Sequence, residues 1–398
     1  MVRDTTPVLF SRPENTPGLP ISSGRFRSVI KLQIVIPTLD QSGAEKQFGL
    51  LACGLPKDQF DVHVLALSRG GPYEALLAEH HVPYTILKKR WRFDPTPIRQ
   101  LRRQIRLTQP DVLLSCLFSA NTAVRLATAG LRKRPVTIIS ERCVDSWKSG
   151  WQLTVDRLLR SRTDRLVANS KSVAAFYQQQ GFPAERTTVI PNGVEIPPPP
   201  GLTRAELLQQ LGLPPEARLI AFVGRLAPQK GLRHLLWAAQ LLRQADPNAY
   251  LLLIGDGPER SDLEQYARDV EVTSHLRLLG HRRDAASLLH LIDVFWLGSQ
   301  FEGMSNSLME AMACGRPVVV SDIPPNRELV QHGVEGWIVN PGDSVGFAQY
   351  TLRLLQEPEL FTRMGQAGAQ KMQAAYSVDR MVARYAELLA NEVNRSAK

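Results

Sequence analysis

Two cationic residues, Arg225 and Lys230, lie in a short loop that begins at Gly224 and ends at Gly231. The loop follows an aliphatic run at 219–224, which predicts a position at the carboxyl end of a buried strand. A planar guanidinium fork and a mobile ammonium group can together hold both phosphoryl groups of a diphosphate. The same charges would stabilise a phosphate that leaves during bond cleavage. A solvated loop without a ligand is the alternative interpretation.

Two acidic residues, Glu302 and Glu310, follow the apolar run at 293–298. Asn306 is the predicted N-cap of a short helix that begins at Ser307. With Glu302 in the loop and Glu310 inside this helix, both carboxylates can face one cleft and accept hydrogen bonds from the hydroxyl groups of a sugar and a ribose. Two surface glutamates without a ligand are the alternative.

A third loop contains Gly43, between the apolar run at 32–37 and a predicted helix. Glycine permits a close approach of the backbone, and the unpaired N–H groups of the helix's first turn can bind an anion. A simple tight turn explains a single glycine equally well. No GxGxxG sequence follows any predicted strand, which argues against a nicotinamide or flavin dehydrogenase.

The elements that position these loops are short aliphatic runs, which alternate with longer segments of helical period. This alternation predicts parallel strands covered by crossover helices, and therefore an α/β fold of doubly wound parallel sheets. The predicted strands fall into two groups of five, at 32–37, 61–67, 111–115, 136–140 and 165–169, and at 219–224, 250–255, 276–280, 293–298 and 317–321.

Four consecutive prolines in the segment 196–201 separate the two groups, because proline supplies no N–H group for a helix or a sheet. We therefore expect two domains that face a cleft, since ligands of such sheets bind beyond the carboxyl ends of the strands. The predicted division is a solvated tail at 1–30, a first domain at 31–196, a linker at 197–202, a second domain at 203–377, and a last helical segment at 378–398 that crosses back to the first domain.

The 398 residues carry a formal charge of +10, and the excess lies in the first half: residues 1–200 carry +12 and residues 201–398 carry −2. This asymmetry suggests that the first half faces an anionic partner, such as a phosphorylated small molecule, an anionic membrane or a nucleic acid. An ordinary solvated basic face is the alternative. The sequence contains no apolar run of the length that a membrane span requires.

The four cysteines are scattered and have no metal-ligand spacing, so neither a disulfide framework nor a metal site is predicted. A reducing, cytoplasmic compartment fits this pattern.

Several motifs together resemble glycosyltransferase family 4. They are the E-x7-E pattern from Glu302 to Glu310, FVGRLAPQKG at 222–231, VANS at 167–170, VIPNGV at 189–194, LLIGDGPER at 252–260 and PGD at 341–343. They occur in the family's order, and the resemblance extends from about Lys31 to Leu389.

The resemblance implies a GT-B fold of two Rossmann-like domains and a retaining sugar transfer that needs no metal and no other cofactor. By matching position, Arg225 and Lys230 hold the donor diphosphate, Glu302 binds the hydroxyl groups of the donor sugar, and Glu310 binds the ribose. The other implied donor-binding residues are Gly43, Gly224, Gly255, Gly257, His281, Arg282, Met304, Ser305, Asn306 and Ser307.

The segment 111–117 departs from the family pattern, because it lacks the histidine that many members carry after the fourth strand. The sequences SCLFSAN at 115–121 and ISER at 139–142 resemble a branch in which Asn121, Glu141 and Arg142 take acceptor-side positions in the cleft.

The sequence thus favours a glycosyltransferase that moves a sugar from a nucleotide-diphosphate donor, with a UDP-sugar expected, to a lipid-linked or polysaccharide acceptor in cell-surface glycan synthesis. The basic and aromatic cluster at 88–93 and the arginine-rich helix after it predict weak attachment of a cytoplasmic protein to anionic membrane. Two alternatives remain at this point: another sugar-nucleotide enzyme, such as an epimerase or a sugar-phosphate synthase, and a non-catalytic nucleic-acid-binding protein. No nucleic-acid-binding motif accompanies the charge.

Overall fold

The computed structural model describes residues 29–90, 94–144 and 148–396. Within these ranges the first half of the chain forms a parallel seven-stranded sheet with strand order β3-β2-β1-β4-β5-β6-β7. Its strands are β1 (Ile30–Thr38), β2 (Phe60–Arg69), β3 (Tyr84–Ile86), β4 (Val112–Cys116), β5 (Val136–Glu141), β6 (Arg165–Ala168) and β7 (Thr187–Val189).

Helices connect these strands, as parallel pairing requires. They are α1 (Gly43–Gly54), α2 (Tyr73–Glu79), α3 (Thr96–Thr108), α4 (Leu117–Ala127), α5 (Gly150–Leu159) and α6 (Lys171–Gln179). The central strands are apolar and buried along nearly their whole length, as expected for a sheet that is covered on both faces.

The second half repeats this plan with a parallel sheet of strand order β10-β9-β8-β11-β12-β13. Its strands are β8 (Arg218–Val223), β9 (Ala249–Ile254), β10 (Leu276–Gly280), β11 (Val294–Leu297), β12 (Val318–Ser321) and β13 (Gly336–Val339). Its helices are α7 (Arg204–Gln210), α8 (Leu232–Ala245), α9 (Arg260–Asp269), α10 (Ala285–Leu288), α11 (Asn306–Ala313), α12 (Pro324–Leu329), α13 (Ser344–Gln356) and α14 (Pro358–Ala375).

The strand orders confirm the predicted fold class, because both sheets have the order of a Rossmann-like domain. All ten predicted strands are present with boundaries within two residues. The prediction missed β3, β7 and β13, which are three or four residues long and lie at sheet edges.

The chain passes between the domains at two neighbouring places. The backbone N–H of Val194 donates to the carbonyl of Tyr376 at 2.8 Å, so the segment before the four prolines lies beside the segment that leaves the second domain. The last helix, α15 (Val378–Ser396), then packs on the core of the first domain. Its buried residues recur at helical spacing and include Val382, Tyr385 and Leu389.

The order of each sheet reverses at one point, between β1 and β4 in the first domain and between β8 and β11 in the second. Loops that follow these strands border the crevice where ligands of such folds bind. No helix in the described part of the chain has the length and apolar character needed to cross a bilayer.

Candidate active site

The loop after β8 carries Arg225 and Lys230, at the reversal point of the second sheet. It turns at Gly231, whose φ of +62° is a left-handed conformation that favours glycine. A Cβ atom on Gly231 would lie 2.5 Å from the carbonyl oxygen of Gly298, the residue that follows the neighbouring strand β11. This close approach brings the loops after β8 and β11 together.

The glycines of the loop after β9 pack against the same β8 loop. A Cβ atom on Gly255 would lie 1.9 Å from the carbonyl oxygen of Gly224, and one on Gly257 would lie 2.2 Å from that of Leu226. Any side chain at these positions would therefore push the two loops apart. The loops after β9 and β11 thus both lie against the β8 loop.

Lys230 and Glu302 form an ion pair in which Nζ lies 2.5 Å from Oε1. The hydroxyl of Ser299 donates to the same oxygen of Glu302 at 2.7 Å. Both charged side chains are largely buried, with 16% and 10% of their surface exposed. The β8 loop and the β11 loop therefore present one paired cation and acid at the reversal point of the sheet.

Arg225 is exposed and forms no hydrogen bond or ion pair with any residue that the structure describes. Its guanidinium group is therefore available to a ligand, in contrast to Lys230.

The helix α11 begins one residue earlier than the sequence predicted. Its N-cap is Ser305, whose hydroxyl accepts from the backbone N–H of Leu308, and Asn306 is the first helical residue. Because Asn306 is not needed as the cap, its amide is available for contacts across the domain boundary.

Those contacts tie α11 to the first domain. The amide of Asn306 donates to the carbonyl oxygen of Gly43 at 3.0 Å and accepts from the amide of Asn192 at 2.6 Å. Gln47 also donates to Asn306, at 3.2 Å, and its amide oxygen accepts from the backbone N–H of Gly193 at 2.8 Å. The Gly43 loop therefore lies against the start of α11 in the second domain.

Glu310 faces the first domain and not Lys230. Its Oε1 lies 2.5 Å from Nζ of Lys46 on α1. The two glutamates of the E-x7-E pattern are therefore in one region but have different partners, one from each domain.

His281 and Arg282 follow the edge strand β10. Arg282 donates to both carboxylate oxygens of Asp284, at 2.8 and 2.7 Å, and this pairing lowers the pKa of Asp284. His281 is exposed and lies close enough to Asp40 of the first domain to act on its charge. The pKa of Asp40 is lowered. The hydrogen bond from the N–H of Gln41 has the largest effect, Arg69 has the next largest, and His281 contributes less.

The three residues predicted on the acceptor side are all buried. Asn121 donates to the carboxylate of Glu141 at 3.0 Å, and Lys148 lies 3.6 Å from the other oxygen of that carboxylate. Arg142 instead reaches the domain boundary, where it donates to Asn192 at 2.6 Å and covers the ring of Phe48.

Four further residues of this region were not singled out from the sequence. Gln47 and Asn192 carry the interdomain amide contacts, and Lys46 carries the interdomain ion pair. Gly303 forms an antiparallel bridge with Cys143 of the first domain. The VIPNGV motif contains Asn192, but no local pattern marks Lys46, whose partner lies 264 positions away in the chain.

Among the described residues, no group of three or more histidine, cysteine or acidic side chains is arranged to hold a metal ion. Of the predicted basic and aromatic cluster, Trp91, Arg92 and Phe93 lie outside the described residues.

Two Rossmann-like domains, with cationic and acidic side chains at the facing loops of the second, define the GT-B class of two-domain enzymes. The family model for glycosyl transferases group 1 matches residues 203–371, and the model for glycosyltransferase family 4 matches residues 41–196. Together they cover more than three quarters of the chain. The chain therefore belongs to the group 1 and family 4 glycosyltransferases.

Individual relatives are similar over part of their length. The lipopolysaccharide core biosynthesis glycosyltransferase LpsE of Rhizobium meliloti is 30% identical over 58% of this chain and 65% of its own. A UDP-Gal:alpha-D-GlcNAc-diphosphoundecaprenol alpha-1,3-galactosyltransferase of Escherichia coli is 32% identical over 44% of this chain and 46% of its own. The chain thus matches about half to two thirds of the length of these relatives.

Among solved structures, Anabaena HepE in complex with UDP has the same fold. It superposes with a TM-score of 0.79 at 24% identity, over 91% of this chain and all of that one.

Proposed function

We propose that this glycosyltransferase takes a sugar from a UDP-sugar, with retention of configuration and without a metal, and passes it to a lipid-linked or polysaccharide acceptor. One observation carries the proposal: Arg225, Lys230 and Glu302 stand on adjoining loops at the reversal point of the second sheet. This is the position at which a Rossmann-like domain binds a nucleotide.

The proposed step is a transfer between two oxygen atoms. The bond from the anomeric carbon to the diphosphate breaks, the bond to an acceptor hydroxyl oxygen forms, and the acceptor's proton is released. Arg225 and Lys230 stabilise the diphosphate as it gains charge. Two cations offset part of the diphosphate charge that a divalent ion would otherwise neutralise, which is why we propose a metal-independent reaction.

Glu302 is the proposed partner of the donor sugar's hydroxyl groups, and Glu310 that of the ribose. A carboxylate has two oxygen atoms and can accept from several donors at once. Glu302 can therefore keep its contact with Lys230 through one oxygen and accept from the sugar through the other.

The choice of a UDP-sugar is supported by similarity alone. HepE was solved with UDP, and the Escherichia coli relative is named for a UDP-galactose donor and a diphosphoundecaprenol acceptor. LpsE is named for lipopolysaccharide core synthesis. These names support an acceptor of the same kind here, a lipid-linked or polysaccharide glycan of the cell surface.

We also propose that the protein works in the cytoplasm, on the inner face of the membrane. The helix α3 exposes Arg99, Arg103 and Arg106, and Leu107 beside them has 69% of its surface exposed. Arginine next to an exposed apolar side chain suits the boundary between lipid headgroups and acyl chains.

The test is a panel of UDP-, GDP- and ADP-sugars in thermal unfolding. We expect protection by a UDP-sugar and its loss in Arg225→Ala, with Arg218→Ala at the opposite end of β8 as the matched control. Sugar transfer that requires an added lipid-linked acceptor would support the transferase. Turnover of the donor without an acceptor would favour an epimerase, and protection by no donor would contradict the proposal.

A further inference from the structure

The ion pair between Lys46 and Glu310 joins the first domain to the proposed ribose site of the second. It is the single hydrogen bond or ion pair of the Glu310 side chain within the described residues, and it uses Oε1. Glu310 has 10% of its side chain exposed, whereas Lys46 has 35% exposed. A buried carboxylate thus has one oxygen fixed by a partner from the opposite domain, while its second oxygen has no partner there.

We infer that Lys46 is a positioning residue for ribose recognition, and that the ribose site is therefore built from both domains. The inference rests on the proposed role of Glu310. An ammonium group on Oε1 fixes the rotation of the carboxylate, and Oε2 is left to accept from the ribose hydroxyl groups. A hydrogen bond to a charged acceptor is stronger than one to a neutral acceptor.

The surroundings of Glu310 explain why a cation is needed at this position. Burial is the main cause that raises the pKa of Tyr73, a residue of α2. The nearby carboxylates of Glu310 and of Glu45 on α1 raise it further. Lys46 is the ion-pair partner of Glu310 in this region. Without it, Glu310 would be a buried charge that lacks a counter-charge, which is a costly arrangement.

Lys46 is held where it can perform this role. It follows Gly43 and Glu45 in the first turns of α1, and its neighbour Gln47 binds the backbone of Gly193 through both amide atoms. The α1 helix is thus anchored next to the start of α11. A small movement of the first domain away from the second would remove the ammonium group from Glu310 and weaken ribose binding.

The inference predicts an effect that depends on the ribose hydroxyl groups. In calorimetry with UDP and 2′,3′-dideoxy-UDP, we expect Lys46→Met to weaken UDP binding by about tenfold, the size of one lost hydrogen bond to a charged group. Binding of the dideoxy nucleotide should not change, because it has no hydroxyl group for Glu310. Lys57→Met, an exposed lysine of the same domain, is the matched control and should bind both nucleotides normally.

Combining variants separates this inference from the proposed function. In a Glu310→Gln background, Lys46→Met should have no further effect on UDP binding, since the carboxylate that it positions is gone. Equal weakening of UDP and the dideoxy nucleotide by Lys46→Met, or no weakening of either, would overturn the role of Lys46 alone. If the unmodified protein binds both nucleotides equally, or binds neither, the proposed role of Glu310 fails and the inference fails with it.

Discussion

Lys230 and Glu302 are separated by 72 positions in the chain, yet their ammonium and carboxylate groups lie 2.5 Å apart. The pair forms because β8 and β11 are neighbours in the sheet, so the loops that follow them begin side by side. Each charge compensates for the burial of the other. The residue proposed to hold the diphosphate is thus also the one that keeps an acid in position for the sugar.

Removing Lys230 should therefore affect both stability and activity. We expect Lys230→Met to destabilise the protein by about 3 kcal/mol, because it leaves Glu302 as an unpaired buried charge. Chemical unfolding at neutral pH measures this change. The double variant Lys230→Met/Glu302→Gln should recover most of the stability but none of the activity. Recovery of activity in the double variant would show that neither charge takes part in the reaction.

Replacing Arg225 should affect activity but not stability, in contrast to replacing Lys230, since Arg225 is exposed and has no partner among the described residues. We expect Arg225→Ala to change the free energy of unfolding by less than about 0.5 kcal/mol. Its kcat/KM should fall by about 10²–10³-fold, the effect of removing one group that stabilises developing charge. Arg218→Ala, also exposed, should alter neither quantity. A normal kcat/KM in Arg225→Ala would remove this residue from the reaction.

Much of the fold follows from the sequence because the central strands are mostly apolar and are buried along nearly their whole length. Strands such as β4 and β8 must be buried on both faces, and continuous aliphatic runs reveal them. The short edge strands β3, β7 and β13 pair with one neighbour only and have three or four residues each. Their existence depends on the strand beside them, which is information that a local pattern does not contain.

The candidate site could be predicted only in part for a similar reason. Arg225, Lys230 and Glu302 lie within short motifs, and the spacing of those motifs indicates their chemistry. Lys46 and Gln47 gain their partners only when the domains meet, so nothing near them in the sequence marks their role. The N-cap of α11 was misplaced by one residue because serine and asparagine cap helices equally well.

The thiols of Cys53 and Cys314 should be protected from alkylation and exchange reagents. Burial raises the pKa of each from 9.0 to about 12. Because the thiolate is the reactive form, its fraction at pH 8 falls roughly a thousandfold relative to the unfolded chain, a factor of ten for each pKa unit. In a thiol titration at pH 8, both should react only when denaturant is present.

The raised pKa values of Cys53 and Cys314 also determine whether stability rises or falls with pH. The folded state keeps these protons up to pH 12 or so, whereas the unfolded chain releases them near pH 9, so stability should fall as pH rises through this interval. Cys53→Ala and Cys314→Ala should each reduce the slope of stability against pH above pH 9. An unchanged slope in both variants would contradict the prediction.

Membrane attachment should depend on the arginines of α3. Each arginine near an anionic surface contributes about 1 kcal/mol to binding. Replacing Arg99, Arg103 and Arg106 by alanine should therefore weaken binding to phosphatidylserine vesicles at low salt by about 3 kcal/mol, which is roughly a hundredfold. Vesicle sedimentation measures it, and binding of the unmodified protein should decrease at high salt.

A control triple variant in the second domain replaces the exposed arginines Arg218, Arg268 and Arg363. It removes the same number of charges but should leave vesicle binding unchanged. Equal losses in the two triple variants would indicate a response to net charge, and no vesicle binding by the unmodified protein would favour a soluble acceptor.

Gly303 is the position at which a single methyl group should separate the domains. A Cβ atom there would lie 1.8 Å from the carbonyl oxygen of Arg142, and the bridge between Gly303 and Cys143 leaves no room for it. Since the obstacle is backbone and not a flexible side chain, the β11 loop must move away from the first domain. Gly303→Ala should therefore lose most of its activity while each domain stays folded, and small-angle scattering should show a larger radius of gyration.

Gly150→Ala is the matched control for Gly303→Ala, because a Cβ atom at position 150 meets no atom within 4 Å. If Gly303→Ala is as active as this control, closure of the domains through Gly303 is not required for the reaction.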